Sequence, residues 1–127
     1  MSEFNLNNQY AEEAKERWGA TDQYQESQRR LARYSKEDIA AAQLDMKAAA
    51  LLMAAAMQDG HLPSSEQAIA AAHAHRLSIS RWWYECSPEM HKALGQMYVA
   101  DERFKKFYED IAPGLAQYMC DAIEAAA

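Results

Sequence analysis

A long apolar stripe at helical spacing limits what this chain can fold into. The residues Ile39, Ala42, Met46, Ala49, Met53 and Ala56 follow one another at intervals of three or four. That interval is the period of one face of an α-helix. Ser35 and Asp38 precede the stripe in the pattern of an N-terminal capping box, and Gly60 marks its end. We predict one long helix whose Met and Ala stripe is core, not a binding surface.

The composition favours helices in the rest of the chain as well. The 127 residues include only four Gly and three Pro, while half of the residues are hydrophobic and many of these are alanine. Alanine fills helices without adding much core, so the core must come from Met, Tyr, Trp, Phe and a modest set of Leu and Ile. The length is that of one domain. The predicted fold class is therefore all-α, as a single helical domain without a sheet.

Two helices with few apolar anchors are predicted before the long one. The first runs from residue 8 to Gly19 with Tyr10 and Trp18 on one face, and the second is capped by Thr21 and carries Tyr24. Such sparse helices are marginal alone and would become ordered when something packs against Trp18 and Tyr24. The alternative is that both are ordinary surface helices, and the residues favour neither.

Four further helices are predicted after the long one. They are expected to begin after the N-cap Ser64 with Gln67 completing a capping box, at Pro88 after the N-cap Ser87, after Asp101, and at Pro113. Their expected buried faces are Ala68, Ala72, His75, Ile79 and Trp82; Met90, Leu94, Met97 and Tyr98; Phe104, Phe107, Tyr108 and Ile111; and Leu115, Tyr118, Met119, Ala122 and Ile123.

Charge and cysteine content exclude several classes of partner. The net charge of −6 does not suit a phosphate backbone, so direct nucleic-acid binding by this chain is not expected. No run of about 18 apolar residues is present, which predicts no membrane span, and the polar N-terminus lacks a signal-peptide pattern. Two cysteines, Cys86 and Cys120, do not make a disulfide scaffold, and a cytoplasmic location fits best. Cys120 is expected to be a small buried hydrophobe.

Motifs for catalysis, metals and cofactors are not found in the sequence. There is no phosphate-binding glycine loop, no nucleophile elbow and no zinc motif. His73 and His75 point in different directions on a helix and do not form a metal site unaided. We predict no enzyme activity, no metal and no cofactor.

More than half of the aromatic residues lie between Arg81 and Tyr118, around Cys86. Ser87 as N-cap places the Cys86 thiol at the positive end of a helix, where thiolates are favoured, and places His91 within reach of the sulfur. Nearby Glu85 opposes that effect, so the net sign stays open, and a structural cysteine is the alternative. His75 is expected to be a core or pocket-edge residue. The aromatic residues exceed what one small core needs, which predicts a lined cleft for a large apolar ligand.

The central stretch also resembles a known family. Trp-Tyr-Glu-Cys-Ser-Pro-Glu-Met-His at 83–91, Met-Tyr-Val-Ala-Asp at 97–101 and the block from Tyr10 to Gly19 are similar to the TipAS antibiotic-recognition family. The resemblance extends from about Tyr10 to Ile123. It implies a globin-like fold without haem and a cleft for thiopeptide antibiotics. It also implies mobile lid helices, which we assign to residues 1–34 and expect to be disordered without ligand, over a ligand-binding core at 35–127.

The resemblance further implies how the site acts. In founding members a cysteine in a Tyr-Asp-Cys context adds to a dehydroalanine of the ligand; here that position is Cys86, preceded by Glu85, and Phe107 stands where a tyrosine is common. The candidate ligand-binding residues are Trp18, His75, Trp82, Trp83, Cys86, Met90, His91, Tyr98, Phe104, Phe107, Tyr108 and Tyr118. Cys86 is the candidate for covalent attachment.

The leading hypothesis is therefore the effector domain of a MerR-type transcriptional regulator. DNA would be bound only through an upstream helix-turn-helix domain that this chain lacks, and RNA polymerase only indirectly through the full regulator. A stand-alone protein that confers immunity by sequestering antibiotic is the alternative. A third hypothesis is a redox switch at Cys86.

Overall fold

The computed structural model describes residues 21–127, and this part of the chain is built from α-helices. They are α1 (Asp22–Leu31), α2 (Lys36–Gln58), α3 (Glu66–Trp82), α4 (Pro88–Ala100), α5 (Glu102–Ile111) and α6 (Leu115–Ala126). No strand occurs between residues 21 and 127. The all-α prediction is confirmed. The predicted helix at 8–19 lies outside the described residues.

Four of the predicted caps begin helices as expected. Ser35 and Asp38 form the capping box of α2: the Asp38 N–H donates to Ser35 Oγ at 3.1 Å, and the Ser35 N–H donates to Asp38 Oδ2 at 3.0 Å. Thr21, Ser87 and Asp101 likewise accept backbone N–H groups at the starts of α1, α4 and α5. These caps were predictable because each partner lies within three residues.

The predicted start of α3 was wrong by one residue. Ser65, not Ser64, is the N-cap, and its Oγ accepts the Ala68 N–H at 3.2 Å. The Ser65 N–H donates to the Leu62 carbonyl at 2.9 Å, and this turn delays the helix. Gln67 therefore does not occupy the third helical position and completes no capping box.

The last helix also begins later than predicted, at Leu115 instead of Pro113. Gly114 precedes it with a φ of 89°, a conformation that favours glycine. The N-cap residue Gly114 has no side chain that could accept a backbone N–H of this helix. The carboxylate of Glu109 supplies the cap from α5, accepting the N–H groups of Gly114 at 2.8 Å and Ala116 at 3.0 Å.

The core lies where α2, α3 and α6 meet, with aromatic rings from α4 and α5 closing one side. Fully buried members include Met53, Ala72, Leu115, Met119, Ile123 and Tyr108. The stripe predicted for α6 is buried throughout, as is Cys120. The α2 stripe is buried at Ala42, Ala49, Met53 and Ala56 but only half-buried at Ile39 and Met46. The core therefore covers the C-terminal half of α2 more completely than its N-terminal half.

The buried face of α4 differs from the prediction. His91, Gly95 and Tyr98 are buried, whereas Met90, Leu94 and Met97 are only half-buried. The reason is the close approach of α6: a Cβ at Gly95 would lie 3.3 Å from Ile123 Cδ1. Because the two helices meet at this glycine, its neighbours on the helix face, His91 and Tyr98, are buried, and Met90 and Met97 point away from it.

Helix α1 contributes no buried residue and attaches to the end of α3. Arg30 Nη1 donates to the Ser80 carbonyl at 2.7 Å, and Tyr34 Oη donates to the Trp82 carbonyl at 2.5 Å. These two bonds satisfy carbonyls that the end of a helix leaves without intrahelical partners. Arg30 and Tyr34 therefore tie the described part of the predicted lid segment, residues 21–34, to the end of α3.

Helix α2 is the one helix in the described part of the chain that is long and apolar enough to cross a membrane, judged by length and composition. Within its most apolar window 39% of the residues are buried, and Leu44 is 71% exposed on the opposite face. The same test is passed by core helices of soluble proteins, and the contacts of α2 with α3, α5 and α6 are those of a core helix.

Replacing Glu109 by alanine should destabilise the fold by about 1 kcal/mol, because two N–H groups of α6 lose their acceptor. Those N–H groups hold the pKa of the Glu109 carboxyl below its ordinary value of 4.5. A lowered folded-state pKa gives a contribution that is complete above the unfolded value and is lost as the pH falls through the folded value. Urea unfolding as a function of pH measures both effects.

The matched control is Asp110→Ala, which removes the neighbouring acid and only a surface ion pair with Lys106. Equal effects of the two substitutions, or a Glu109→Ala effect that persists at pH 2, would contradict this capping role.

Candidate ligand-binding site

The predicted site residues separate into buried and half-buried sets. Buried are His75, Cys86, His91, Tyr98, Phe104, Tyr108 and Tyr118; half-buried are Trp82, Trp83, Met90 and Phe107. Trp18 lies outside the described residues. Among the eleven that the structure describes, seven are therefore packed inside the protein and four are partly exposed.

Most of the predicted rings belong to the core. Tyr98 is 3% exposed and packs on Tyr108 at a centroid distance of 4.9 Å and on Phe104 at 5.7 Å. Phe107 meets Tyr108 edge-on at 5.0 Å. Tyr118 donates its hydroxyl to the His61 carbonyl at 2.8 Å, near the α2–α3 connection. Tyr98, Phe104, Tyr108 and Tyr118 thus belong to the core cluster, and Phe107 packs against it.

His75 and His91 form a buried polar pair inside this aromatic core. His75 Nδ1 lies 2.8 Å from His91 Nε2, the rings stack at 5.1 Å, and His75 Nε2 lies 3.4 Å from Tyr108 Oη. One nitrogen of the short contact must donate and the other must accept. Burial lowers the pKa of His75 to about 4 and that of His91 to about 3. Both rings are therefore neutral at pH 7, and each is the other's hydrogen-bond partner, as expected for core histidines.

Cys86 is fully buried at the turn between α3 and α4. Its N–H donates to Ser80 Oγ at 3.0 Å, its carbonyl accepts from Arg76 at 3.0 Å, and its sulfur lies 3.8 Å from the Ser87 carbonyl. The ring of His91 binds His75 and not this sulfur, contrary to the expected Cys86–His91 contact.

The thiol of Cys86 has a raised pKa in this position. Burial raises it to about 11, Arg76 opposes the rise and Glu85 adds to it. Desolvation is the largest cause, and the direction is opposite to the one that a helix start favours. The Cys86 thiol is therefore protonated at pH 7.

Three half-buried rings form an aromatic patch at the C-terminal end of α3. It consists of Tyr34, Trp82 and Trp83; the Tyr34 ring meets the two indoles edge-on at 5.9 and 6.3 Å. These rings combine flat apolar area with partial exposure, and rigid aromatic surfaces bind heterocyclic ligands at a low cost in conformational entropy. In the described conformation all three rings are partly exposed.

One carboxylate fixes the orientation of Trp82. Asp45 Oδ2 accepts from Trp82 Nε1 at 2.9 Å, from Ser78 Oγ at 2.9 Å and from Arg81 Nη1 at 2.6 Å. Burial alone would raise the pKa of Asp45, but the hydrogen bonds from Ser78 and Trp82 and the charge of Arg81 outweigh it and lower the pKa. Asp45 was not predicted, because its partners lie 33 to 37 positions away in the sequence.

One group of potential metal ligands occurs in the described part of the chain. Cys120, Asp121 and Glu124 place ligand-type atoms within 4.8 Å of one another. Both acids are exposed on one helix, and the pKa of the buried Cys120 thiol is raised, by burial first and then by the two acids. A neutral thiol beside two solvated carboxylates is a poor metal site.

Comparison with known proteins supplies the family. The sequence model of the TipAS antibiotic-recognition domain matches residues 10–126. The chain belongs to the TipAS antibiotic-recognition domain family. The resemblance that the Cys86 and Tyr10 blocks indicated is thereby confirmed.

Relatives and solved structures agree with this TipAS assignment. The HTH-type transcriptional activator TipA of Streptomyces coelicolor is 46% identical over 115 residues, which cover 91% of this chain and 46% of TipA. The HTH-type transcriptional activator mta of Bacillus subtilis is 29% identical over 114 residues, covering 90% of this chain and 43% of mta. The chain thus spans about half the length of these relatives.

The structure of TipAS from Streptomyces lividans in complex with nosiheptide matches with a TM-score of 0.89 and 44% identity, over 96% of this chain and 86% of that one. An antibiotic-binding domain of a TipA-class multidrug resistance transcriptional regulator matches with a TM-score of 0.62 and 44% identity, over 67% of this chain and 90% of that one.

Replacing Asp45 by alanine should release the Trp82 indole and lower stability by about 1–3 kcal/mol, because Trp82, Ser78 and Arg81 lose a shared charged acceptor. The tryptophan emission spectrum should shift with it. Asp45→Asn, which keeps an acceptor oxygen, should fall between the wild type and Asp45→Ala. The exposed Asp59→Ala is the control, and identical emission and unfolding of Asp45→Ala and the wild type would show that Asp45 does not hold Trp82.

Proposed function

We propose that this chain is the ligand-sensing effector domain of a MerR-type transcriptional regulator and binds thiopeptide-like macrocyclic antibiotics. The observation that carries the proposal is the match along nearly the whole chain to TipAS in its complex with nosiheptide. The relatives named as HTH-type transcriptional activators support the regulatory part. The role is binding and not catalysis.

The aromatic patch is the proposed point of contact with the ligand. Trp82 and Trp83 are half-buried, and Asp45 holds the indole of Trp82 in one orientation. A preorganised apolar surface binds a multiring ligand without first paying for side-chain ordering. Met90 and Phe107, also half-buried, are proposed to contact the ligand as well.

Residues 1–34 are proposed to act as the lid over the bound ligand. In the described part, Arg30 and Tyr34 attach this segment to the end of α3, immediately beside Trp82. A ligand on the patch therefore lies next to the attachment, and Trp18 is proposed to close over it. Ordering of this segment is the proposed signal.

The signal is proposed to pass to an upstream helix-turn-helix domain of the full-length regulator in the cytoplasm. DNA would be contacted by that domain alone, because this chain carries a net charge of −6. RNA polymerase would respond to the changed DNA complex and not to the effector domain itself.

Covalent capture by Cys86 is proposed as a slow second step. The Cys86 S–H adds across the C=C bond of a dehydroalanine: sulfur bonds to the β-carbon, and a proton is delivered to the α-carbon. The sulfur is buried and its pKa is raised to about 11. The turn that holds Cys86 must therefore open before the bond forms, so reversible binding comes first.

Titration with nosiheptide should quench tryptophan fluorescence saturably at one ligand per chain. Trp82→Leu should weaken binding at least tenfold, because central aromatic contacts are typical hot spots. Leu62→Ala is the control: Leu62 is 70% exposed near the other end of α3, roughly 25 Å away along that helix. The absence of saturable binding by the wild type would refute the proposed function.

Intact-mass measurement of the nosiheptide complex tests the covalent step. The adduct should form with the wild type and with Cys120→Ser but not with Cys86→Ser. Below the thiol pKa its rate should rise about tenfold per pH unit, because only the thiolate attacks. An adduct that survives in Cys86→Ser, or none after full occupancy at pH 9, would contradict capture by Cys86 and leave reversible binding intact.

A further inference from the structure

One side-chain nitrogen in the described part of the chain is buried without a hydrogen-bond partner, namely Nε2 of Gln43. A buried amide without a partner destabilises a fold, and such groups are few in natural proteins. Gln43 is therefore a polar group that the described residues leave unsatisfied.

The position of Gln43 on α2 places it at the border of the core. Residues 39, 46 and 50 lie on the same helical face, at spacings of four, three and seven. Ala50 is buried in the core cluster, whereas Ile39 and Met46 are half-buried and lie outside that cluster. Towards the N-terminus of α2, this face therefore carries half-buried residues that do not belong to the core cluster.

This face lies near the aromatic patch but is distinct from it. Asp45, only two residues along α2, points to the opposite side, where it binds Trp82. Two residues correspond to about 3 Å along the helix axis, and the helix with its side chains is about 10 Å wide. A ligand that contacts both the patch and Gln43 must therefore extend around α2, over a span of roughly 10 Å.

We propose that Gln43 is a ligand-recognition residue, whose buried amide N–H donates a hydrogen bond to a carbonyl of an amide-rich macrocycle. This inference rests on the proposed function, to which it adds one hydrogen bond between the protein and the ligand. Ile39 and Met46 supply the apolar surface on either side of the amide. In a largely apolar site, a few placed polar groups give most of the specificity, because a mispaired partner is left unsatisfied.

The test compares three variants in calorimetric titrations with nosiheptide. Gln43→Met keeps the size of the side chain and removes the unpaired amide, so it should melt at or above the wild-type temperature yet bind about 5- to 100-fold more weakly. Gln43→Glu cannot donate and should also bind more weakly. Gln58→Met, at an exposed position of the same helix, is the matched control and should change neither property.

A second measurement does not depend on any variant. In the wild type, the NMR signals of the Gln43 side-chain amide should move and exchange more slowly with water when nosiheptide is bound. Unchanged amide signals, or wild-type affinity of Gln43→Met, would overturn the role of Gln43 and leave thiopeptide binding standing. Failure of the wild type to bind nosiheptide would instead overturn the proposed function and this inference together.

Discussion

The close packing of α2 against α3 is the constraint on which the rest of the structure depends. Alanines meet at this interface, among them Ala49 and Ala56 of α2 and Ala68 and Ala72 of α3, all of them buried. Alanine lets helix axes approach closely because nothing extends beyond Cβ. At the open end of the same interface, Asp45 reaches across to Trp82. The orientation of the aromatic patch is thus a consequence of how tightly the two helices pack.

The filled core also determines the protonation of the buried titratable groups. A small helical domain with a filled core has little room to solvate charge, and its buried titratable groups remain neutral. His75 and His91 pair with each other, and burial lowers both pKa values. Burial also raises the pKa of Cys86 despite the adjacent helix start. A neutral, apolar neighbourhood with a few fixed polar atoms suits an uncharged ring-rich ligand better than an ionic one.

Local signals in the sequence predicted much of the fold, and non-local contacts account for what was missed. Ser35, Ser87 and Asp101 cap helices through partners two or three residues away, so their roles were predictable. Ser64 and Ser65 are both suitable N-caps for α3. The turn in which the Ser65 N–H bonds to the Leu62 carbonyl determines that the N-cap is Ser65.

The site was predicted less well than the fold because its contacts join distant parts of the chain. Asp45 binds Trp82 across 37 positions, and His75 binds His91 across 16, which no local pattern reveals. The sequence could identify where the aromatic residues are concentrated, but packing decides which rings become core, as with Tyr98, and which stay accessible, as with Trp83.

The central claim is that ligand binds at the end of α3 on rings held by Asp45, in front of a closed aromatic core. The most direct test is to follow the indole N–H and core ring signals by NMR while nosiheptide is added. The account predicts that the indole signals of Trp82 and Trp83 move together and saturate at one equivalent, while the ring signals of the core residue Tyr108 move far less. Saturable binding that shifts Tyr108 but leaves both indoles unchanged would contradict it.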